Sequence, residues 1–200
     1  MNEMSLSQEA DYTVARSAKV SNSLDPRGFF VVEHWRKGQK INEYRFPNGI
    51  TDQGKKNLLD IQFYTTTKIS TWYLGMITDG ETLATTDTYQ NIDQVGNGWD
   101  EFKDYTIGSG PPNATDRPAW TSGAAAGAGT VTTTNASPVV FDITDSGTVS
   151  GLFLVGGIEA ADTKGDHAAS GILWATALFT GGDVPVNNED QLKVTYSVSA

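Results

Sequence analysis

The clearest hydrophobic pattern lies in the last third of the chain, where four segments rich in Val, Ile, Leu, Phe, Thr and Tyr follow one another. They are residues 137–144, 148–157, 171–180 and 191–200, each bounded by Gly, Asn, Asp or Pro, which suit turns. The last segment alternates strictly between apolar and polar residues, so one face is predicted to be buried and the other exposed. The second and third alternate less cleanly, as central strands covered on both faces would. This order predicts an antiparallel meander, with a short hairpin connection at 145–147.

A hairpin and a helix are predicted earlier in the chain. Residues 29–35 and 41–46 are rich in apolar and aromatic side chains, and the polar, Gly-containing residues 36–40 between them predict a turn. Thr51 then has the side chain of a helix N-cap, and Asp52 suits the positive end of a helix.

The predicted helix lies near residues 51–63 and is the only helix of consequence in this interpretation. Gly54 lies inside it, where Gly is less favourable than Ala by about 1 kcal/mol. Either the helix begins after Gly54, or a neighbouring element packs closely against it.

The middle of the chain is less regular. Residues 71–77 are aromatic and uncharged, which predicts a central strand. Residues 80–100 are predicted to form a long excursion, and 117–120 an extended segment whose Pro belongs at an edge or a bulge. Residues 121–135, with their run of Gly and Ala, predict a loop that is mobile or covered by a partner.

Length and composition agree with one all-β domain. Two hundred residues can form one substantial core, and 21 Gly with only 19% charged residues are typical of a turn-rich β protein. We therefore predict an antiparallel two-sheet β-sandwich of jelly-roll type with one short helix, forming a single domain over residues 27–200. Residues 1–26 show no sustained period and are predicted to be an N-terminal arm, ordered only where something covers it.

The charge balance excludes some partners. With 14 basic and 24 acidic residues the formal net charge is −10, which disfavours nucleic acid and anionic membranes, because both are bound through Lys and Arg. It favours solubility, or a basic partner surface. The chain has no cysteine and no run near the roughly 18 apolar residues of a membrane span. Residues 1–19 lack an apolar signal region, so we expect synthesis in the cytoplasm without classical export.

Motifs for catalysis or metal binding are weak. His34 and His167 are expected to be hydrogen-bonded or solvated, because no Gly-x-Ser-x-Gly elbow accompanies them. Glu159, Asp162 and Asp166 favour a solvated acidic loop over a Ca²⁺ site. A carboxylate pair for glycoside hydrolysis is compatible with 24 acidic residues but is not a specific signal. We therefore expect no catalytic residue, no metal and no cofactor.

The aromatic residues allow two interpretations. Trp72, Trp99, Trp120 and Trp174 could form a platform for sugars or a patch for a protein partner, together with nearby tyrosines. Packing in the core is favoured for most of them.

Short motifs along the chain carry a family resemblance. In order they are N-G-I-T (48–51), N-L-L-D (57–60), T-W-Y-L-G (71–75), W-D-E-F (99–102), R-P-A-W (117–120), G-T-V-S-G-L-F (147–153) and L-W-A-T-A-L-F (173–179). In this order and approximate spacing they resemble a family of small tailed-bacteriophage virion structural proteins, from about residue 28 to residue 200. Residues 1–27 differ, being longer and more acidic than the starts typical of that family.

The resemblance implies a place on the outer capsid surface of a virion, a role as capsid cement or decoration protein, and no catalytic motif. We expect a non-enzymatic homo-oligomer, a dimer or a trimer, that binds the major capsid protein and stabilises the head. The alternatives are a carbohydrate-binding module of a phage fibre or tail component, and a glycan hydrolase with two carboxylates. The residues expected at partner contacts are Tyr12, Arg16, Arg27, Trp99, Trp120, Asp162 and Asp166.

Overall fold

The computed structural model describes residues 26–78, 82–96, 98–107, 115–127 and 130–200. Within these ranges the chain forms twelve β-strands and one α-helix. In chain order they are β1 (Arg27–Arg36), β2 (Gln39–Ile50), α1 (Asp52–Phe63), β3 (Trp72–Thr78), β4 (Glu101–Phe102), β5 (Tyr105–Ile107), β6 (Ala119–Trp120), β7 (Thr132–Thr134), β8 (Val139–Ile143), β9 (Gly147–Gly156), β10 (Ile172–Leu178), β11 (Val184–Val186) and β12 (Gln191–Ser199). The predicted arm, apart from Pro26, lies outside the described ranges.

The strands form an antiparallel sheet that curls until it nearly closes into a barrel. Its main hydrogen-bonded path runs β4-β3-β9-β10-β2-β1-β12-β8-β5, while β11, β6 and β7 pair with β9, β3 and β12. β4 and β5 stand at opposite ends of this path, yet only Lys103 and Asp104 separate them in the chain. Because three peptide steps span at most about 11 Å, the two ends of the sheet must meet. The predicted all-β antiparallel class is confirmed.

The last four long strands do not form the predicted meander. β9 and β10 pair with each other, but β8 pairs with β12 and β5, and β12 pairs with β1. The prediction of a hairpin connection at residues 145–147 is therefore wrong, since these residues carry the chain from the β12 group to the β9 group. Local patterns identified the strands, whereas their pairing depends on which strands share a core, and that is not a local property.

The first hairpin has the predicted form. β1 and β2 pair along most of their length, with Ile41 as the extra residue of a β-bulge. Lys37 and Gly38 have φ values of 51° and 74°, the two left-handed positions of a type I′ turn, whose twist matches that of the flanking strands. β2 then continues past β1 and pairs Gly49 and Ile50 with β10, so this strand joins the two halves of the sheet.

One apolar core fills the interior of the curled sheet. The rings of Phe30 and Tyr196 stack with centroids 4.3 Å apart, and the ring of Phe46 lies 5.5 Å from that of Phe30. Both halves contribute fully buried side chains, among them Phe30, Val32, Phe46, Leu74, Met76, Phe141, Leu152, Val194 and Tyr196. The halves therefore fold around a shared core.

A second buried cluster lies on the outer face of β3, β9 and β10. The strands supply Ile77, Phe153, Val155 and Leu173, and the segments that cross over them supply Tyr89, Ile92, Trp99 and Ala161. β9 is thus buried on both faces, from Val149 to Gly156. The prediction that its imperfect alternation reflects covering on both sides is confirmed.

α1 occupies the predicted position. The Oγ1 atom of Thr51 accepts the amide of Gly54 at 3.0 Å and caps the helix. Gly54 is buried against β10, where an added Cβ would lie 2.5 Å from the carbonyl oxygen of Trp174. Of the two explanations for this Gly, close packing is the correct one, because the missing side chain lets the helix approach the sheet.

Gly54→Ala should therefore destabilise the protein, by about 1–3 kcal/mol, although Ala is the better helix former. The measurement is the free energy of unfolding in urea. The matched control is Lys55→Ala on the exposed side of the same turn, which should change that free energy by less than about 0.5 kcal/mol. A more stable Gly54→Ala variant would contradict the packing argument.

Candidate functional site

A buried ion pair lies beneath the segments that cover β3 and β9. Arg117 and Glu101 are 1% and 5% exposed, and the guanidinium donates two parallel hydrogen bonds to the carboxylate, at 2.9 and 2.8 Å. A bidentate pair of this kind is stronger and more directional than a single contact. It is also costly to desolvate, so the remaining donors and acceptors of both groups need partners.

Neighbouring groups supply those partners. Arg117 also donates to the Tyr89 hydroxyl at 3.2 Å and to the Ala161 carbonyl at 3.0 Å. Glu101 accepts the amide of Gly165 at 2.7 Å. The pair therefore connects β4, the segment before β6, the excursion that contains Tyr89 and the loop after β9. It fastens the outer layer to the sheet.

Burial and charge fix the protonation of this cluster. Burial lowers the pKa of Arg117, but its hydrogen bonds and attraction to Glu101 outweigh burial and raise the pKa above its ordinary value. Burial raises the pKa of Tyr89, and the nearby Arg117 offsets only part of this effect. Neither group is therefore poised to exchange a proton near neutral pH. The arrangement suits a structural tie.

Lys164 lies at the seam where the two ends of the sheet meet. Its ammonium donates to the carbonyls of Lys103, at 2.9 Å, and of Tyr105, and it lies 3.7 Å from the centroid of the Tyr105 ring. Burial lowers the pKa of Lys164 to about 8. This ammonium is therefore held in place by backbone carbonyls and an aromatic face, and it gives up its proton more readily than an ordinary lysine.

A second buried carboxylate ties the ends of β1 and β12. Asp190 is fully buried and accepts two hydrogen bonds from Arg36, both at 2.7 Å, and one from the amide of Asn187 at 2.9 Å. His34 hydrogen-bonds with the same carboxylate at 2.8 Å, which confirms the prediction of a hydrogen-bonded histidine. Burial raises the pKa of Asp190, but the hydrogen bonds from Arg36 and Asn187 outweigh it and hold the pKa well below its usual range.

The acidic residues of the loop after β9 have separate roles. Asp166 accepts the Tyr89 hydroxyl at 2.8 Å, and the carbonyl of Asp162 accepts the amide of Arg117. In the described ranges no three His, Asp or Glu side chains are grouped closely enough to hold a metal ion. No helix in those ranges has the length and hydropathy to cross a membrane.

Two of the predicted contact residues are corrected by the structure. Trp99 and Trp120 are only 2% and 7% exposed. The Trp99 ring lies 5.1 Å from that of Phe153 in the outer cluster, and the Trp120 ring lies 5.6 Å from that of Tyr196 in the inner core. Both indoles are packed inside the described chain and not on its surface, because burying such a large aromatic surface stabilises the folded chain.

The other predicted contact residues lie in different places. Arg27 is exposed at the start of β1, while Asp162 and Asp166 are half-buried beside the ion pair. Tyr12 and Arg16 lie outside the described residues. The structure therefore does not bring the predicted set together on one surface of the described chain.

One broad surface has no covering layer among the described residues. It is the outer face of β1, β12 and β8, on the side opposite the inner core. Phe29 is 40% exposed there, and the Lys193 ammonium lies 4.1 Å from the centroid of the Trp35 ring. We call this surface the open face, and its side chains are Phe29, Val31, Glu33, Trp35, Val140, Lys193, Thr195 and Ser197. Aromatic, apolar and charged groups in one patch are typical of surfaces that bind proteins.

The sequence pattern did not reveal the buried ion pair. Glu101 lay in a run that alternates aromatic with charged residues, and Arg117 lay in an extended segment, with no periodicity to link the two. One signal was available, because Glu101 lies next to Phe102 and two residues after Trp99. A carboxylate in a buried aromatic run needs a cationic partner, which the sequence could have been searched for.

No family model, curated protein or solved structure matches this chain.

Arg117→Met should destabilise the protein by about 3–5 kcal/mol, because it leaves the Glu101 carboxylate buried without its cation. Amide hydrogen exchange should also accelerate in residues 158–166, which the pair holds down. The control is Lys56→Met, which removes an exposed ion pair to Asp60 and should cost less than about 1 kcal/mol. Equal losses in the two variants would contradict a role for Arg117 as the tie.

Lys164 should give the protein a specific pH dependence. Because its folded pKa of about 8 lies below the ordinary 10.5, the unfolded chain binds more protons between these values, so the contribution of Lys164 to the free energy of unfolding rises with pH there. Lys164→Met lacks this contribution. Urea unfolding should show the free energy of the unsubstituted protein, minus that of the variant, increasing from pH 8 to about pH 10. A constant or falling difference would contradict this assignment.

Proposed function

We propose that this protein is a non-enzymatic capsid decoration protein that binds the outer surface of a bacteriophage shell, made of the major capsid protein, and stabilises the head. The observation that carries the proposal is the asymmetry of the curled sheet. One half is covered by its own segments, fastened by Arg117 and Glu101, whereas the open face of the other half has no such layer in the described residues. The motif resemblance to small virion structural proteins supplies the kind of partner.

The open face has the chemistry that such a partner needs. Phe29 and Val31 provide apolar contact, Thr195 and Ser197 provide hydroxyl groups, and Lys193 provides charge. These side chains come from neighbouring strands, so they are held in a fixed arrangement before binding, and little entropy is lost on docking. The net charge of −10 favours approach to basic residues of a shell.

A carbohydrate-binding module, the alternative function, would need aromatic rings exposed side by side. Trp72 and Trp174 instead pack against each other, with centroids 5.8 Å apart and planes at 61°, and both are only half-exposed. One face of Trp35 is occupied by Lys193. These contacts favour a protein partner over a sugar, and the experiment below distinguishes the two.

We also propose the finer fold assignment, a two-sheet sandwich of jelly-roll type. In support, the strands divide into a β1, β12, β8, β5 group and a β9, β10, β3, β4 group that share one core. β2 contributes to both groups, as strands at the corner of a flattened barrel do. A distance measurement across the core by spin labels would test how flattened the sheet is.

Shells that lack this protein should assemble but rupture at a lower temperature than decorated shells, since a ligand that binds only the assembled state stabilises it by mass action. Adding back purified protein should restore the rupture temperature, which can be measured by differential scanning fluorimetry of the packaged nucleic acid. Thr195→Arg, on the open face, should abolish the restoration and reduce cosedimentation with shells.

The matched control is Thr163→Arg, the same change at an exposed position of the covered half, which should leave both readouts unchanged. If stripped and decorated shells fail at the same temperature while the protein is retained on glycans, the decoration proposal is wrong and a carbohydrate-binding function replaces it.

A further inference from the structure

One edge of β2 has no partner strand in the described parts of the chain. β2 pairs with β1 from Gln39 to Asn48, but with β10 only through Gly49 and Ile50. A groove of about 470 Å³ lies next to this short pairing, lined by the end of β2, by β10 and by residues 82–85. An unpaired edge of this length presents a row of backbone donors and acceptors to another strand.

The backbone groups that face this edge belong to alternate residues. Thr51 donates its amide to a carbonyl of β10, and direction alternates along a strand, so Arg45 and Glu43 face the same side. The hydrogen bond of the Glu43 amide supports this orientation, since the amide donates to the side chain of Asn42 at 2.9 Å and not to β1. Pro47, which has no N–H, also takes an edge-facing position, as prolines do at sheet edges.

The side chains along the edge alternate in charge. Glu43 accepts hydrogen bonds from Lys40 at 2.9 Å and from Arg45 at 2.6 Å. These contacts, that of Lys40 foremost, lower the pKa of Glu43. Charged side chains, Lys above all, often protect an exposed edge, and charges of one sign repel a second copy of the same edge. Alternating signs instead let a second, antiparallel copy bring unlike charges together.

Only one antiparallel register lets the two backbones form hydrogen bonds and also places Glu43 and Arg45 opposite each other. In such a dimer each residue whose backbone faces the edge must lie opposite another such residue of the second copy. Because these residues alternate along the strand, the two-fold axis must pass through a residue and not between two residues. An axis through Glu43 or through Arg45 would place like charges directly opposite each other. An axis through Tyr44 places Glu43 of each copy opposite Arg45 of the other, and these residues can exchange four backbone hydrogen bonds.

We propose that two copies of this chain associate edge to edge through β2, antiparallel about a two-fold axis at Tyr44, with Glu43 of each copy paired to Arg45 of the other. The contact is isologous, so it closes at a dimer and does not propagate. It uses an edge and not the open face, so it stands whether or not the protein decorates a shell.

A charge-exchange series tests the pairing. Glu43→Arg places two arginines opposite each other and should raise the dimer dissociation constant at least about tenfold in sedimentation equilibrium. The double variant Glu43→Arg, Arg45→Glu restores unlike charges in the same register and should restore the dimer. Circular dichroism should show the same fold in both, because these side chains are on the surface. A monomeric unsubstituted protein, or a double variant as weak as the single one, would overturn the proposal.

Cross-linking tests the register independently. The chain has no cysteine, so one introduced thiol gives an unambiguous result. Tyr44→Cys faces its own counterpart in a non-hydrogen-bonded pair about 4.5 Å apart between Cα atoms, within disulfide range, and should form a covalent dimer on oxidation. Asn42→Cys would face residue 46 of the second copy and should stay monomeric under the same conditions. Cross-linking of Asn42→Cys instead of Tyr44→Cys would overturn the assigned axis.

Discussion

Closure of the sheet is the constraint on which the rest of this structure depends. β4 and β5 lie at opposite ends of the hydrogen-bonded path, and Lys103 and Asp104 join them directly. This short link forces the sheet to curl around its apolar side, and the curl creates the single core shared by both halves. Lys164 lies over the link and donates to the carbonyls on either side of Asp104, so the seam is held by hydrogen bonds as well as by covalent connection. Among the residues that the structure describes, closure also leaves few strand edges exposed, which makes the unpaired edge of β2 distinctive.

The two halves of the curled sheet differ in how their outer apolar side chains are covered. β9 and its neighbours are apolar on both faces, so they need an outer layer, and the excursion around Tyr89 and the loop after β9 provide it. Apolar contacts are not directional, so they alone would not fix the position of such irregular segments on the sheet. The buried pair of Arg117 and Glu101 gives them a fixed position, because breaking it leaves a charge without its partner. β12 alternates cleanly, with Lys193, Thr195 and Ser197 on its outer side, whereas the outer side of β1 carries the apolar side chains of Phe29, Val31 and Trp35.

This division separates stability from recognition. The covered half holds Arg117 and Glu101 in a hydrogen-bonded arrangement, and the pKa values of Arg117 and Tyr89 are raised, so neither of these two groups exchanges a proton near neutral pH. Perturbed pKa values therefore mark structural ties here. The half whose outer face has no covering layer among the described residues presents the mixed surface that we propose as the docking site. The proposed contact at the β2 edge is separate from it, and two weak contacts of this kind reinforce each other when the partner is a repeating shell, as proposed here.

Local patterns predicted the long strands, the first hairpin and the helix, but not short strands such as β7 and β11. The side chain of Thr51 caps α1 as predicted, whereas Gly54 left two explanations open until the structure showed its close contact with β10. Pairing was decided only by the tertiary structure, so the meander expected for the last strands was wrong. The candidate site also depended on the tertiary structure. The sequence showed an acidic protein without catalytic motifs. Trp99 and Trp120 were among the residues expected at partner contacts, whereas the fold buries both. Which strands share a core, and which acid meets Arg117, depends on contacts between distant residues, and no local pattern encodes them.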